Sequence, residues 1–101
     1  MRRAAKIDAN QRLIVEALRK AGATVQSLAA VGHGVPDLLV GYRSKTALVE
    51  VKDGSKCPSA RQLTADQQQW HQTWQGGTLA VVPDVEAALR VLKLMEASHA
   101  E

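Results

Sequence analysis

Residues 36–52, PDLLVGYRSKTALVEVK, form the most apolar stretch of the chain, yet three charged side chains lie within or at the ends of its two aliphatic runs. Asp37 opens one aliphatic run, and Glu50 and Lys52 flank Val51 in a second. Both runs are short, rich in Leu and Val and separated by a polar segment, which predicts two strands of one hairpin. Side chains on a strand alternate faces, so Glu50 and Lys52 project to one side about 7 Å apart, and Val49 and Val51 to the other.

The turn decides whether Asp37 joins them. Residues directly opposite each other in an antiparallel pair share a face, so Asp37 meets Glu50 or Lys52 only across a loop with an even number of residues. Arg43-Ser44-Lys45-Thr46 contains no Gly or Asn for a tight primed turn, which favours a four-residue loop built on a type I turn. Pairing Gly41 with Thr46 sets Asp37 opposite Glu50, and two carboxylates and an ammonium converge. Unpaired charges on a buried face cost several kcal/mol. The cluster is therefore either a salt bridge on a wet sheet face, with Lys52 neutralising one acid, or a divalent metal site. Two hard oxygen ligands suit Mg²⁺, which keeps several waters and binds through one or two carboxylates plus a substrate phosphate.

A length of 101 residues predicts one domain, 1–101, with residues 1–7 as a basic arm carrying Arg2, Arg3 and Lys6. Hydrophobic residues make up 46%, yet Trp70, Trp74 and Tyr42 are the whole aromatic set, so Leu, Val and Ala must fill the core. A single cysteine, Cys57, excludes an internal disulfide and fits a reducing compartment. No apolar run approaches membrane-spanning length and the N-terminus lacks a signal-peptide core, so the reading is a soluble, cytoplasmic protein without a membrane partner. The net charge of +3 suits a polyanionic partner. Arg43, Lys45, Lys56 and Arg61 are expected to flank the acidic cluster.

Along the chain, residues 8–20 read as a helix capped by Asp8, with Gln11 completing a capping box and Gly22 closing it. Asn10 and Gln11 begin its apolar stripe of Leu13, Ile14, Ala17 and Leu18, where they can face inward. Residues 23–31 read as a strand. The loop 32–36 follows, with two glycines that allow close backbone approach to a ligand, and His33 there is a candidate phosphate contact. Thr64-Ala65-Asp66-Gln67 is a second capping box, opening a helix to about residue 75. Trp70 and Trp74 on it are expected as core anchors, and Gln67, on the same stripe, needs buried partners that the charged cluster can provide. Residues 78–82 read as a short apolar strand. Asp84 caps a last helix reaching about residue 98, whose stripe of Val85, Ala88, Leu89, Leu92 and Met95 is widened by Val91 and Leu94 into a candidate partner surface.

The resulting order is helix, three strands, helix, strand, helix, with the charges on the second and third strands. In this order, and in Pro36-Asp37 followed by Glu50-Val51-Lys52, the chain resembles the PD-(D/E)XK nuclease superfamily. GVPDLLVG, LVEVKDG and LTADQQQWH are most similar to small phage and bacterial nucleases of the VRR-NUC kind and to Holliday-junction resolvases. The resemblance implies an α/β (α+β), restriction-endonuclease-like αβββαβ core: a mixed four-stranded sheet flanked by helices, with a C-terminal helix. It implies that Asp37, Glu50 and the backbone carbonyl of Val51 bind Mg²⁺ or Mn²⁺, that Lys52 orients the attacking water and neutralises developing charge, and that Gln67 supports the lysine or the substrate. Many relatives carry a glutamate on the first helix. Counting back from Gly22 puts Gln11 there, and a neutral amide does not replace a carboxylate ligand.

The leading expectation is a divalent-metal-dependent DNA endonuclease acting as a homodimer, with branched DNA as a candidate substrate. The alternatives are a catalytically weak DNA-binding or assembly module on the same scaffold, and an interaction domain whose charges form a structural salt bridge.

Overall fold

The computed structural model describes residues 9–97, within which every strand joins one four-stranded sheet whose neighbours follow chain order. The elements run α1 (Ala9–Lys20), β1 (Thr24–Ser27), β2 (Leu38–Tyr42), β3 (Lys45–Val51), α2 (Ala65–Thr73), β4 (Thr78–Val82) and α3 (Val85–Ala97). This is the mixed α+β architecture expected from the pattern of elements. β1, β2 and β3 are antiparallel neighbours, whereas β4 lies parallel to β3. A parallel neighbour needs a crossover connection, and α2 is that crossover. The Asp8 cap and the basic arm lie outside the described residues.

The core forms where α1 and α3 cover one face of the sheet. Ile14 and Leu18 from α1, Leu38 and Val40 from β2, Ala47 and Val49 from β3 and Ala88, Val91, Leu92 and Met95 from α3 pack into one cluster. Alternation along β3 therefore sends Glu50 and Lys52 to the face away from α1 and α3. α2 serves that second face and buries no side chain of its own. Asp84 caps α3, its Oδ1 accepting the Ala87 N–H at 2.8 Å.

Four details differ from the sequence reading. The first strand stops at Ser27, where the hydroxyl accepts the Ala29 N–H at 3.2 Å and turns the chain out of the sheet. The hairpin loop holds two residues, because Tyr42 pairs with Lys45 beyond the Gly41–Thr46 pair. Arg43 and Ser44 adopt φ of 52° and 69°, a primed turn made without Gly or Asn, whose twist matches that of the flanking strands. Parity is kept, so the register continues from Leu38 opposite Val49 to Asp37 opposite Glu50. Finally, Trp70 and Trp74 are not core anchors. Trp70 is half-buried, Trp74 is exposed, and their rings stack on each other at 5.1 Å.

Candidate functional site

The hairpin register brings Asp37 to the C-terminal end of β3. Its Oδ2 accepts the Val51 N–H at 2.8 Å, and its own carbonyl accepts the Leu28 N–H at 2.7 Å. The carboxylate is thus fixed to the strand that carries Glu50. Glu50 is 2% exposed, the sole charged residue among the buried side chains described. Lys52 follows on the same face, half-buried, with its N–H bonded to the Val82 carbonyl at 3.0 Å.

Gln67 reaches the cluster because its helix is docked end-on against the loop before β2. Gly34 sits at φ +85°, and a Cβ there would fall 2.7 Å from the Asp66 carbonyl carbon. Only glycine allows that approach. The reciprocal capping box then orients the Gln67 amide: its Oε1 accepts the Thr64 N–H at 2.9 Å while the Thr64 hydroxyl accepts the Gln67 N–H at 3.2 Å. Nε2 is left pointing at Glu50, and donates to Oε2 at 3.0 Å. One side chain therefore caps α2 and holds the buried carboxyl.

Glu50 Oε1 is buried and has no hydrogen-bond partner. The Glu50 carboxyl is pushed up to about 8, first by burial, then by the charge of Asp37 and by the hydrogen bond that Glu50 can make to Asp37 only when protonated, against the downward pull of Lys52. Two carboxylates within hydrogen-bonding reach need something between them, either a shared proton or a cation. His71 lies one turn beyond Gln67. It too has a buried, unpartnered nitrogen, Nε2, and its imidazole is held below its ordinary value by burial and by the Lys52 charge. Sequence reasoning passed over His71. Its spacing of four from Gln67 on one helix face was the available signal.

The outer residues divide into two groups. Asn10 faces the strand ends, its Nδ2 donating to the Pro83 carbonyl at 3.2 Å. It lines a groove of about 450 Å³ with Leu13, Asp53, Gly54, Arg61 and Asp84, beside the segment that follows Lys52. Gly54 belongs there for a steric reason, since a Cβ would lie 2.8 Å from that of Pro83. Lys56 is exposed on the same segment, and His33 is exposed in the loop before Asp37 with φ of 58°.

Arg43 and Lys45 do not flank the acids. They sit at the hairpin turn, a strand length of about 17–20 Å from Asp37. There Arg43 lies over the Tyr42 ring at 5.3 Å and 3.9 Å from Glu96, whose Oε2 accepts the Tyr42 hydroxyl at 2.6 Å. The error came from treating neighbours in sequence as neighbours in space. Gln11 lines a separate groove between α1 and β1, with Val25, Ser27 and Leu38.

Among the described residues, no group of three or more His, Cys, Asp or Glu could hold a metal ion. A cation at this site would have the two carboxylates of Asp37 and Glu50 as its charged ligands. That donor set, with the unpartnered Oε1, fits Mg²⁺ or Mn²⁺ completed by carbonyl, water or phosphate oxygen. No helix among the described residues is long and apolar enough to cross a membrane. Comparisons with protein-family models, curated proteins and solved structures returned no match.

Proposed function

We propose that the chain is a divalent-metal-dependent DNA endonuclease, and the observation that carries the reading is the buried Glu50 carboxyl with a free Oε1 beside Asp37. A buried acid is costly unless paired, and a hard divalent cation would satisfy both carboxylates at once. The backbone carbonyl of Val51 is a third oxygen on the same strand. When bound, the ion supplies positive charge at the scissile phosphate and makes a water more acidic.

The chain's own groups account for the rest. Lys52 stands on the same face as Glu50 and would hold the attacking water and stabilise charge growing on the phosphoryl oxygens. Water attack forms a new P–O bond, the ester P–O bond breaks, and the leaving oxygen takes up a proton. Gln67 keeps Glu50 oriented. Lys56, Arg61 and His33, all exposed near the site, would contact backbone phosphates, while Arg43 and Lys45 lie too far along the hairpin. A cytoplasmic setting fits the lone exposed Cys57. One site cuts one strand, so cleavage of both strands asks for two protomers.

Purified protein incubated with branched, duplex and single-stranded DNA under Mg²⁺ or Mn²⁺ tests the reading. Cleavage lost in Asp37→Ala is expected; no cleavage by the wild type, or equal cleavage by the variant, would refute it. A second reading is a DNA-binding module with little catalysis, favoured by the lack, among the described residues, of a third carboxylate or imidazole that could join Asp37 and Glu50 in holding a metal. Salt-sensitive DNA binding without a Mn²⁺ heat signal would select it.

A further inference from the structure

β4 is an edge strand, and among the described residues nothing pairs with its outer side. An open edge presents a row of unsatisfied N–H and C=O groups, which natural sheets cover, shorten or charge. This one is apolar, Thr-Leu-Ala-Val-Val, with Val81 44% exposed. Alongside it α3 leaves Leu94 64% exposed. Between them runs a groove of about 400 Å³ whose walls are Ala80, Val81 and Val82 from the strand and Ala87, Val91 and Leu94 from the helix. A strand added to β4 would fill that groove with the side chains it turns toward α3.

We propose that the edge of β4 and the groove beneath α3 form the surface through which two copies of this chain pair, β4 against β4 across a two-fold axis. This deepens the two-protomer part of the proposed function, but uses no residue of the carboxylate site. The occupant is a second copy because the surface complements itself. Centred on Ala80, an antiparallel pairing sets Leu79 of one copy beside Val81 of the other. Of the residues that β4 turns toward α3, Val82 is buried in the core, and Thr78 and Ala80 are small enough to lie under the helix of the second copy.

Charge supports the same choice. Along the exposed side of α3, Glu86 precedes Lys93 by seven residues, so both lie on one line of the helix, with Arg90 between them. Arg90 is held by Glu86 within the chain at 3.3 Å, and Arg90 and Lys93 rim the groove. A two-fold axis reverses the order of signs, bringing Glu86 of each copy toward Lys93 of the other. Such self-complementary charge suits an isologous interface, and a foreign apolar strand would leave it unused.

Sedimentation equilibrium of the full chain tests the proposal. The wild type is expected to dimerise at micromolar concentration. Lys93→Glu, a change at an exposed position, should raise the dissociation constant about tenfold. Adding Glu86→Lys to the same chain should return it to within about threefold of wild type. Val81→Glu should yield a folded monomer, whereas Leu13→Glu, at an exposed apolar position on α1, should leave the dimer intact. Hydrogen exchange of the β4 amides should slow as concentration rises through the transition. A wild type that stays monomeric at high micromolar concentration would overturn the proposal. So would a dimer indifferent to Val81→Glu and Lys93→Glu, or a Lys93→Glu defect that Glu86→Lys does not repair. DNA nicking by the wild type under Mn²⁺ tests the carboxylate site separately, since one protomer is enough to cut one strand.

Discussion

Glu50→Gln should make the metal-free protein more stable at alkaline pH. In the folded state the Glu50 carboxyl holds its proton up to about 8, whereas in the unfolded chain it returns to about 4.5. Between those values the folded state binds more protons than the unfolded one, so stability falls as pH rises. The contribution is complete below about 4.5 and lost above 8. At about 1.4 kcal/mol per tenfold, the change from 4.5 to about 8 sets an upper limit of about 5 kcal/mol. The Glu50→Gln protein is not a cavity mutant: the amide keeps an oxygen for the Gln67 Nε2–H and gains N–H donors to offer Asp37. Urea unfolding in a metal-chelating buffer at steps from pH 5 to 9 would read both proteins. The wild-type curve should fall through this range and the Glu50→Gln curve should lack that fall, crossing above it near pH 8. His71, held low by burial and Lys52, contributes the opposite slope at acid pH, and is common to both proteins. A wild-type stability that is flat across the range, or a variant with the same slope, would refute the burial argument.

Gly34→Ala should lower stability by about 2 kcal/mol or more, since it combines a left-handed backbone with a clash against the first turn of α2, and thermal melting will read it. Gln67→Glu preserves the capping box but sets a third carboxylate against Glu50. It should cost about 1–3 kcal/mol at pH 8 in the absence of metal, measured by urea unfolding. In DNA binding, the Lys56→Ala/Arg61→Ala double variant should reduce the slope of log affinity against log salt by about 2, while Arg43→Ala/Lys45→Ala should leave it unchanged.

The sheet and its register were legible because alternation and parity survive an error in the turn. Reading a two-residue loop as four leaves Asp37 opposite Glu50, since the Gly41–Thr46 pair is common to both. Caps were equally legible: Thr64 with Gln67, and Asp84, act through neighbours a few residues away. What the sequence concealed is in one case local, the Ser27 side-chain bond that ends β1, and otherwise long-range: the exposure of Trp74 depends on α2 lying over the sheet without burying itself in it. Gly34 looked like a ligand-binding glycine, but its close neighbour is the first turn of α2. Clustering of basic residues in sequence gave no distance, so Arg43 and Lys45 were assigned to the site although a whole strand separates them from it.

The central claim is that Asp37 and Glu50 together hold a divalent cation, and calorimetric titration with Mn²⁺ in the range below pH 8 tests it most directly. Burial keeps the Glu50 carboxyl protonated there, so a bound ion must displace that proton. Binding with one ion per chain, affinity rising as pH approaches 8, about one proton released in buffers of different ionisation heat, and loss of the signal in Asp37→Asn are the predicted results. No binding heat at any pH, or Mn²⁺ binding that Asp37→Asn and Glu50→Gln leave intact, would contradict it.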